Sequence, residues 1–404
     1  MAYTEGLNLV TGACGFAGTH MVKLLLESGK QVRATDRAQA REHPKWRSIA
    51  RKLGVDFEAQ GVEFVPADLT ERESLSSALR GVDCLFHTAS LYDYSAPMEA
   101  LERVNIHGTT NLLEEMVAQN VSRVVHWSTC GVYGKPIMPH EAGWPGLALW
   151  QFIQGILVRP FQYGRPFQRP GPHPTNVPFT EDRSNPLNTP GDQPLGTHLV
   201  NDYSVTKWKQ EQLVQRYMKE HGLKVTVIRP APLYGPGSDY GVGGLAVAMS
   251  EGLLPAVPSD MWNFIMVSCH VRDICKAALF VADREDTLGE AYNVTDDSIY
   301  SHGEFMQMLA LLCGRRLRKI PLVTMSMLQP LAVWSAKKVR NLEVKHKRYK
   351  RLRIWEESSA RYVSSSYWIS NQKIKSLGYQ FEYPDLKMGL KDTIQWMIEM
   401  GWIQ

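Results

Sequence analysis

The stretch Leu7-Asn8-Leu9-Val10-Thr11-Gly12-Ala13-Cys14-Gly15-Phe16-Ala17-Gly18 decides how this chain folds. Residues 7–11 form an apolar run of strand length, and glycines at 12, 15 and 18 interrupt it at once. A helical pattern then covers about 16–28 and stops at Gly29. In a strand–turn–helix unit of this kind the first glycines allow a tight turn and let a pyrophosphate approach the backbone at the helix N-terminus. The last glycine lets the helix pack close to the strand. Gly12, Cys14, Gly15, Phe16, Ala17 and Gly18 are therefore candidate cofactor-binding residues. The plain alternative is a glycine loop that only turns the chain, and the flanking strand and helix argue against it.

Further strands and helices alternate outward from this unit. A strand over 31–35 ends at Asp36, where a carboxylate accepts hydrogen bonds from ribose hydroxyls and repels a 2′-phosphate. That favours NAD, while Arg37 beside it would attract such a phosphate and leaves NADP open. Strands over 63–67, 84–88 and 124–127 end at Asp68-Leu69, at His87-Thr88-Ala89-Ser90 and at Ser128-Thr129-Cys130, with a helix over 98–119 that contains Val104-Asn105. This alternation implies an α/β fold, a Rossmann-type doubly wound parallel sheet covered on both faces. Ligands of such sheets lie beyond the carboxyl ends of the strands. Asp68 and Leu69 are placed beside an adenine, Thr88, Ala89 and Ser90 beside a ribose, and Thr129 near a reaction centre. For His87 and Ser90 a plain strand-ending role reads equally well.

Tyr203-Ser204-Val205-Thr206-Lys207 sets a phenol and an ammonium one helical turn apart. A phenol of pKa near ~10 is a poor base at neutral pH, and a nearby ammonium favours the phenolate. The pair is thereby a candidate acid/base device.

The bulk numbers fit an ordinary globular protein: 404 residues, 44% hydrophobic and 21% charged. A net charge of +4 is too small to argue for nucleic acid, and no nucleic-acid partner is expected. Cys14, Cys84, Cys130, Cys269, Cys275 and Cys313 have neither metal-ligand spacing nor disulfide rhythm, so no metal and a reducing, cytoplasmic setting are expected. The start of the sequence lacks the basic and long apolar segments of a secretory signal.

Thr11-Gly12-x-x-Gly15-x-x-Gly18, Asp36, Asp68-Leu69, Ser128-Thr129 with Tyr133-Gly134, and Tyr203-x-x-x-Lys207 together resemble the extended short-chain dehydrogenase/reductase superfamily. Arg229-Pro230 through Gly237, His270-Val271-Arg272-Asp273 and Tyr292-Asn293-Val294 resemble its later landmarks. The resemblance implies Tyr203 as general acid/base, Lys207 on the nicotinamide ribose, and Thr129 on the substrate oxygen. It places Asn105 either near the cofactor or in a structural role. Pro230 joins the cofactor contacts, and Ser90, Cys130 and Met266 the substrate contacts.

Three departures bear on substrate. Where UDP-galactose 4-epimerase-like sequences carry a diphosphate-holding arginine, four positions before the histidine of the later turn, this chain has Met266 among apolar and aromatic neighbours. A long insert at about 136–200 carries an aromatic run over 144–158 and then Arg159, Arg165 and Arg169, and it is expected to cover the active site. The uncharged stretch 320–336 leads into nine basic side chains over 337–353 against the single acid Glu343. That arrangement suits peripheral docking on an anionic membrane, with a solvated basic helix as the plain alternative and nucleic acid as a third, less favoured option.

Together these features resemble the 3β-hydroxysteroid dehydrogenase branch, including sterol-4α-carboxylate 3-dehydrogenases. That branch implies oxidation of a sterol 3-hydroxyl, with loss of carbon dioxide where a 4-carboxylate is present. Arg159, Arg165, Arg169 or Arg272 would hold such a carboxylate. The competing readings are a nucleotide-sugar epimerase or dehydratase, a reductase of another β-keto or carbonyl substrate, and a non-catalytic cofactor-binding regulator. The division expected is a cofactor-binding domain over 1–235 and a smaller, interleaved C-terminal substrate-binding lobe over 236–404, with a sheet strand returning near 292–294. The superfamily resemblance also implies a homodimer. The chain should close with a short helix, a turn at Gly378 and an amphipathic helix over 385–400.

Overall fold

The computed structural model describes residues 3–134, 179–181, 199–321, 323–325, 328, 330–336, 338 and 367–403. Strands β1 (Leu7–Thr11), β2 (Gln31–Thr35), β3 (Glu63–Phe64), β4 (Cys84–His87), β5 (Arg123–Trp127) and β6 (Lys224–Pro230) follow in chain order. β7 (Leu233–Tyr234), β8 (Ala256–Pro258), β9 (Ile265–Met266), β10 (Cys269–His270), β11 (Ala291–Val294), β12 (Tyr300–Ser301) and β13 (Arg318–Ile320) complete the set among the described residues. The main sheet has seven strands in the order β11-β6-β5-β4-β1-β2-β3, and every pairing in it is parallel. The doubly wound α/β architecture is as expected.

The strands read as unbroken apolar runs because both faces are covered. Val10, Phe86 and Val125 pack with Met21, Val22 and Ile274 on one face. Leu9, Leu85 and Val124 pack with Leu79, Leu112 and Val214 on the other. Successive residues of one strand therefore serve opposite cores, as the two-residue side-chain period requires.

Two elements differ from the sequence reading. The strand over 63–67 shortens to β3, Glu63–Phe64, and the chain runs on beside β2 through Pro66. Val65 N and Ala67 N on either side of it still donate to Ala34 O and Asp36 O. The helix over 98–119 changes register: α-helix Met98–Leu101 passes into a π-helical turn, Glu102–His107, before resuming as Gly108–Ala118. Such turns re-aim side chains and recur at functional sites.

Beyond β6 the chain builds a smaller region of helices Val242–Ser250, His302–Leu312 and Leu386–Glu399. Two-stranded pairings β7·β10, β9·β12 and β8·β13 brace it. β11 returns to the edge of the main sheet beside β6, so the two regions are interleaved. The chain ends as expected, with helix Gln372–Ser376, Gly378 at φ +92°, and Leu386–Glu399 capped by the Asp385 side chain.

Most of the insert, including 144–158, Arg159, Arg165 and Arg169, lies outside the described residues, as does the basic run apart from Lys338. The described Phe179 stacks on Tyr133 (5.3 Å, 19°) and pairs with Ile369. No described helix is long and apolar enough to cross a membrane.

Candidate active site

One cavity of about 1050 Å³ runs along the carboxyl ends of the central strands and on into the smaller region. The glycine turn opens it. Gly12 sits at φ +66°, and a Cβ there would lie 2.9 Å from Ala89 Cα. A Cβ on Gly18 would lie 2.0 Å from Gly12 O, so helix and turn can pack this closely only without a side chain. Gly15 caps the helix Phe16–Glu27, whose N-terminal amides face the cavity.

Asp36 closes β2, with Oδ2 accepting from Cys14 N (3.0 Å) and Oδ1 from Arg37 N (2.8 Å). Burial raises its pKa, and those two backbone hydrogen bonds oppose the shift. Each oxygen keeps acceptor capacity for ribose hydroxyls. Asp68 Oδ1 is fixed by Thr70 N and Oγ1, both at 2.8 Å. Thr88 Oγ1 donates to Thr11 O (2.7 Å), pinning the β4 end beside the glycine turn. Cys14, Phe16, Ala17, Arg37, Leu69, Ala89, Ser90 and Pro230 also line the cavity. These residues fit a dinucleotide: a crowded glycine cradle, a helix N-terminus, and a carboxylate where the adenosine ribose belongs. Asp36→Asn, which keeps the shape and one acceptor oxygen but loses the charge, is expected to raise the NADP-to-NAD ratio of kcat/KM about tenfold. An unchanged ratio would show that Asp36 does not choose between the two.

For Asn105 the sequence leaves open both a place near the cofactor and a structural role. It does not line the cavity but stands behind it on the π-helical turn, fully buried. Its Oδ1 accepts from Leu91 N (2.7 Å) and Ser90 Oγ (3.0 Å), while Nδ2 donates to Leu91 O (3.3 Å) and Thr206 Oγ1 (3.1 Å). It fastens the loop after β4 to the helix bearing Tyr203, which is a structural task. Of the four arginines offered for a carboxylate, Arg272 has its guanidinium held by Glu27 and Glu382, away from the cavity lining. Arg37 and Arg103 are the described arginines that line it.

Tyr203 and Lys207 lie in the first two turns of helix Asp202–His221, which starts where Asn201 Oδ1 accepts from Ser204 N (2.8 Å). Both side chains are buried and both line the cavity. Lys207 Nζ donates to Trp127 O (2.6 Å), leaving two N–H donors for other partners. Burial pulls the Lys207 ammonium down to about 7, with Glu211 one turn on opposing that shift. Its ordinary value is 10.5. Between those values the unfolded chain holds a proton that the folded, cofactor-free chain has lost. Lys207 therefore costs stability at neutral pH, and the cost shrinks as pH rises towards the ordinary value. The denaturation midpoint of the cofactor-free protein, relative to Lys207→Met, should rise between about pH 7.5 and 9.5. A constant difference would contradict the assignment.

Thr129 lies two residues past β5 and caps the turn Cys130–Tyr133 by accepting from Gly131 N (3.1 Å), so its own hydroxyl hydrogen is left to donate. Cys130 lines the cavity as a neutral thiol, burial pushing it up to about 12. Met266 reaches the cavity from β9. His87 is structural: it bonds Thr11 Oγ1 (2.9 Å) and Thr109 Oγ1 (3.2 Å), and burial lowers its pKa to about 3, keeping it neutral.

Sequence reading missed two parts of the site. Behind Thr129 a buried Arg229–Glu211 ion pair is bonded to Ser128 Oγ and Tyr133 OH, and only the Lys207–Glu211 spacing of four hinted at it. Beyond Tyr203 the wall is apolar: Leu254, Val257, Met261 and Met325 come from separate parts of the chain and only Phe305 and Met306 share an element, so no local pattern announces them.

A buried Tyr–Lys pair and a threonine that line one cavity with a dinucleotide cradle define a nicotinamide-dependent oxidoreductase. The comparisons agree. Residues 9–142 match the 3-beta hydroxysteroid dehydrogenase/isomerase family and residues 182–295 the NAD dependent epimerase/dehydratase family. The chain belongs to the extended short-chain dehydrogenase/reductase superfamily, which includes the NAD-dependent epimerases and dehydratases. It is similar to sterol demethylase protein B of Methylococcus capsulatus, 28% identical over 76% of this chain and 74% of that one. It is also similar to a 4-hydroxy-2-methyl-3-oxo-4-farnesyl-3,4-dihydroquinoline-1-oxide ketoreductase of Stigmatella aurantiaca, 24% identical over 74% and 71%. A UDP-glucose 4-epimerase of Thermotoga maritima shares the fold, with TM-score 0.63 and 19% identity over 97% and 99% of the two chains. The protein is thus an NAD(P)-dependent enzyme acting at a hydroxyl- or keto-bearing carbon of a small organic molecule.

Proposed function

We propose that this enzyme interconverts a secondary hydroxyl and a ketone on a bulky lipophilic substrate, with 3β-hydroxysterols the first class to test. The observation that carries this reading is the apolar end of the cavity, where Met266 stands among Val257, Met261, Phe305 and Met306. A methionine cannot pair with a diphosphate. In the oxidative direction Tyr203, as the phenolate, takes the proton of the substrate hydroxyl and becomes the phenol, while Thr129 Oγ1 donates a hydrogen bond to the same oxygen. Lys207 holds the cofactor ribose and, in its protonated form, supplies positive charge beside Tyr203. The nicotinamide, when bound, accepts or supplies the hydride. We place the boundary between the cofactor-binding and substrate-binding parts near residue 235, where the chain leaves β6 and β7.

The name of the Methylococcus relative supports a sterol, and that of the Stigmatella relative supports reduction of another β-keto or carbonyl compound, the second reading. Decarboxylation at C4 loses one named support, since Arg272 is engaged by Glu27 and Glu382. The deciding assay follows nicotinamide absorbance with 3β-hydroxysterols with and without a 4-carboxylate, with long-chain β-keto compounds, and with UDP-sugars. Turnover of a sterol is the expected result. Activity confined to β-keto compounds would establish the second reading, and activity confined to UDP-sugars would overturn the lipophilic one.

A further inference from the structure

Four tyrosine rings converge at the reaction centre. Tyr92 and Tyr94 both stand edge-to-face against Tyr203, with ring centroids 5.0 and 5.6 Å away. Tyr240 meets Tyr92 at 5.0 Å and Tyr94 at 6.2 Å. All four line the cavity, and Tyr92 keeps 47% of its surface exposed, so this is a wall and not a core cluster.

The cluster is held from two sides. Asn105 grips both backbone polar groups of Leu91 and reaches Thr206 on the Tyr203 helix, which fixes where Tyr92 emerges. Asp93 Oδ1 accepts from Ser95 N (2.7 Å) and turns the chain so that Tyr94 follows on the same side. Tyr240 comes from the loop that leads into the smaller region. Gly235, Gly237 and Gly241 all adopt positive φ there, and a Cβ on Gly235 would lie 2.6 Å from Val271 Cγ1. Ser238 Oγ donates to Tyr240 O (3.1 Å), and His20 Nε2 bonds Pro236 O (2.7 Å). Two separately braced loops thus meet through their phenol rings beside the residue proposed to handle the proton.

We propose that Tyr92, Tyr94 and Tyr240 form an aromatic collar that holds the ring bearing the reacting carbon and selects cyclic over open-chain alcohols and ketones. The proposal rests on the lipophilic hydroxyl/keto reading. Tyrosine has only two side-chain torsions, so these walls are stiff and present flat apolar area at low entropic cost. A compact alicyclic ring, its torsions already fixed by closure, fills such a slot with little further loss of internal freedom. An open chain must freeze torsions to present its carbon equally well, so it gains less. Because the collar acts where Tyr203 reacts, its contribution should appear in orientation of the reacting carbon.

The test compares Tyr92→Ala, Tyr94→Ala and Tyr240→Ala with their phenylalanine counterparts. Substrates are a 3β-hydroxysterol, a substituted cyclohexanol and an open-chain secondary alcohol of matched carbon number, together with the corresponding ketones. Cofactor affinity is followed by fluorescence titration. The expected result is a fall of about tenfold or more in kcat/KM on ring substrates for the alanine variants. Phenylalanine variants and all open-chain reactions should stay within about threefold, with cofactor affinity unchanged. Equal losses on ring and open-chain substrates, losses in the phenylalanine variants as large as in alanine, or no loss at all would overturn the collar. So would a wild-type enzyme active only on open chains. Wild-type inactivity on every apolar alcohol and ketone overturns the functional reading and the collar with it, and shows itself before any variant is compared.

Discussion

Tyr203→Phe is expected to lower turnover on the order of 10³-fold while cofactor affinity stays within about twofold. The change removes one oxygen. The ring stays in its place against Tyr92 and Tyr94, so the wall of the cavity is preserved. Lys207 still donates to Trp127 O, so the part of the helix that faces the cofactor keeps its anchor. Only the group that takes or returns the substrate proton is lost, and general acid–base catalysis of this kind contributes ~10²–10⁴-fold. Steady-state kinetics with a turned-over hydroxysterol or ketone, beside a fluorescence titration of the cofactor, provides the check. Residual activity within tenfold of wild type would remove Tyr203 from the proton transfer. A parallel loss of cofactor binding would mean that the phenol serves binding instead.

Arg229→Met is expected to destabilise the fold by about 3–5 kcal/mol, the range for removing one partner of a buried ion pair. Arg229 and Glu211 side chains are 3% and 0% exposed. Arg229 Nε also bonds Glu211 Oε2 (3.2 Å), Nη1 donates to Tyr133 OH (2.9 Å), and Ser128 Oγ donates to Glu211 Oε2 (2.7 Å). Tyr133 OH passes its own hydrogen to Asn293 Oδ1 (2.8 Å), so the network ties β5, β6, β11 and the Tyr203 helix together. Methionine fills much of the arginine's volume but leaves a carboxylate buried with one remaining donor. The double variant Arg229→Met/Glu211→Leu should recover a large part of the loss, because no charge is then stranded. Urea unfolding of the wild type, both single variants and the double variant measures the coupling. A single variant as stable as wild type would show that the pair is solvated in solution.

Much of the fold was legible along the chain. Strand and helix identities follow from apolar runs and their period, and Gly12, Gly15 and Gly18 announce a turn that leaves no room for a side chain at Gly12 or Gly18. Asp36, Asp68, Thr129, Tyr203 and Lys207 were legible for a related reason: they sit at strand ends or one helical turn apart, which local spacing reports. Asn105 was harder, since a π-helical turn leaves little trace in apolar periodicity and changes which way a side chain points. The partners of Arg272 were not legible, because its sequence neighbours say nothing of Glu27 and Glu382, which reach it from distant parts of the chain.

The sequence by itself therefore determined the doubly wound sheet, the dinucleotide cradle and the Tyr203–Lys207 pair, because each depends on interactions within one strand–turn–helix unit or one helix. Only the tertiary structure decided what surrounds that pair. The Arg229–Glu211 network joins a strand to a helix 18 positions away, and the tyrosine wall joins Tyr92 and Tyr94 to Tyr240. The apolar end of the cavity is assembled from short elements that meet only after the smaller region folds against the sheet. Burial likewise sets the charge of Lys207, and burial is a property of the packed molecule.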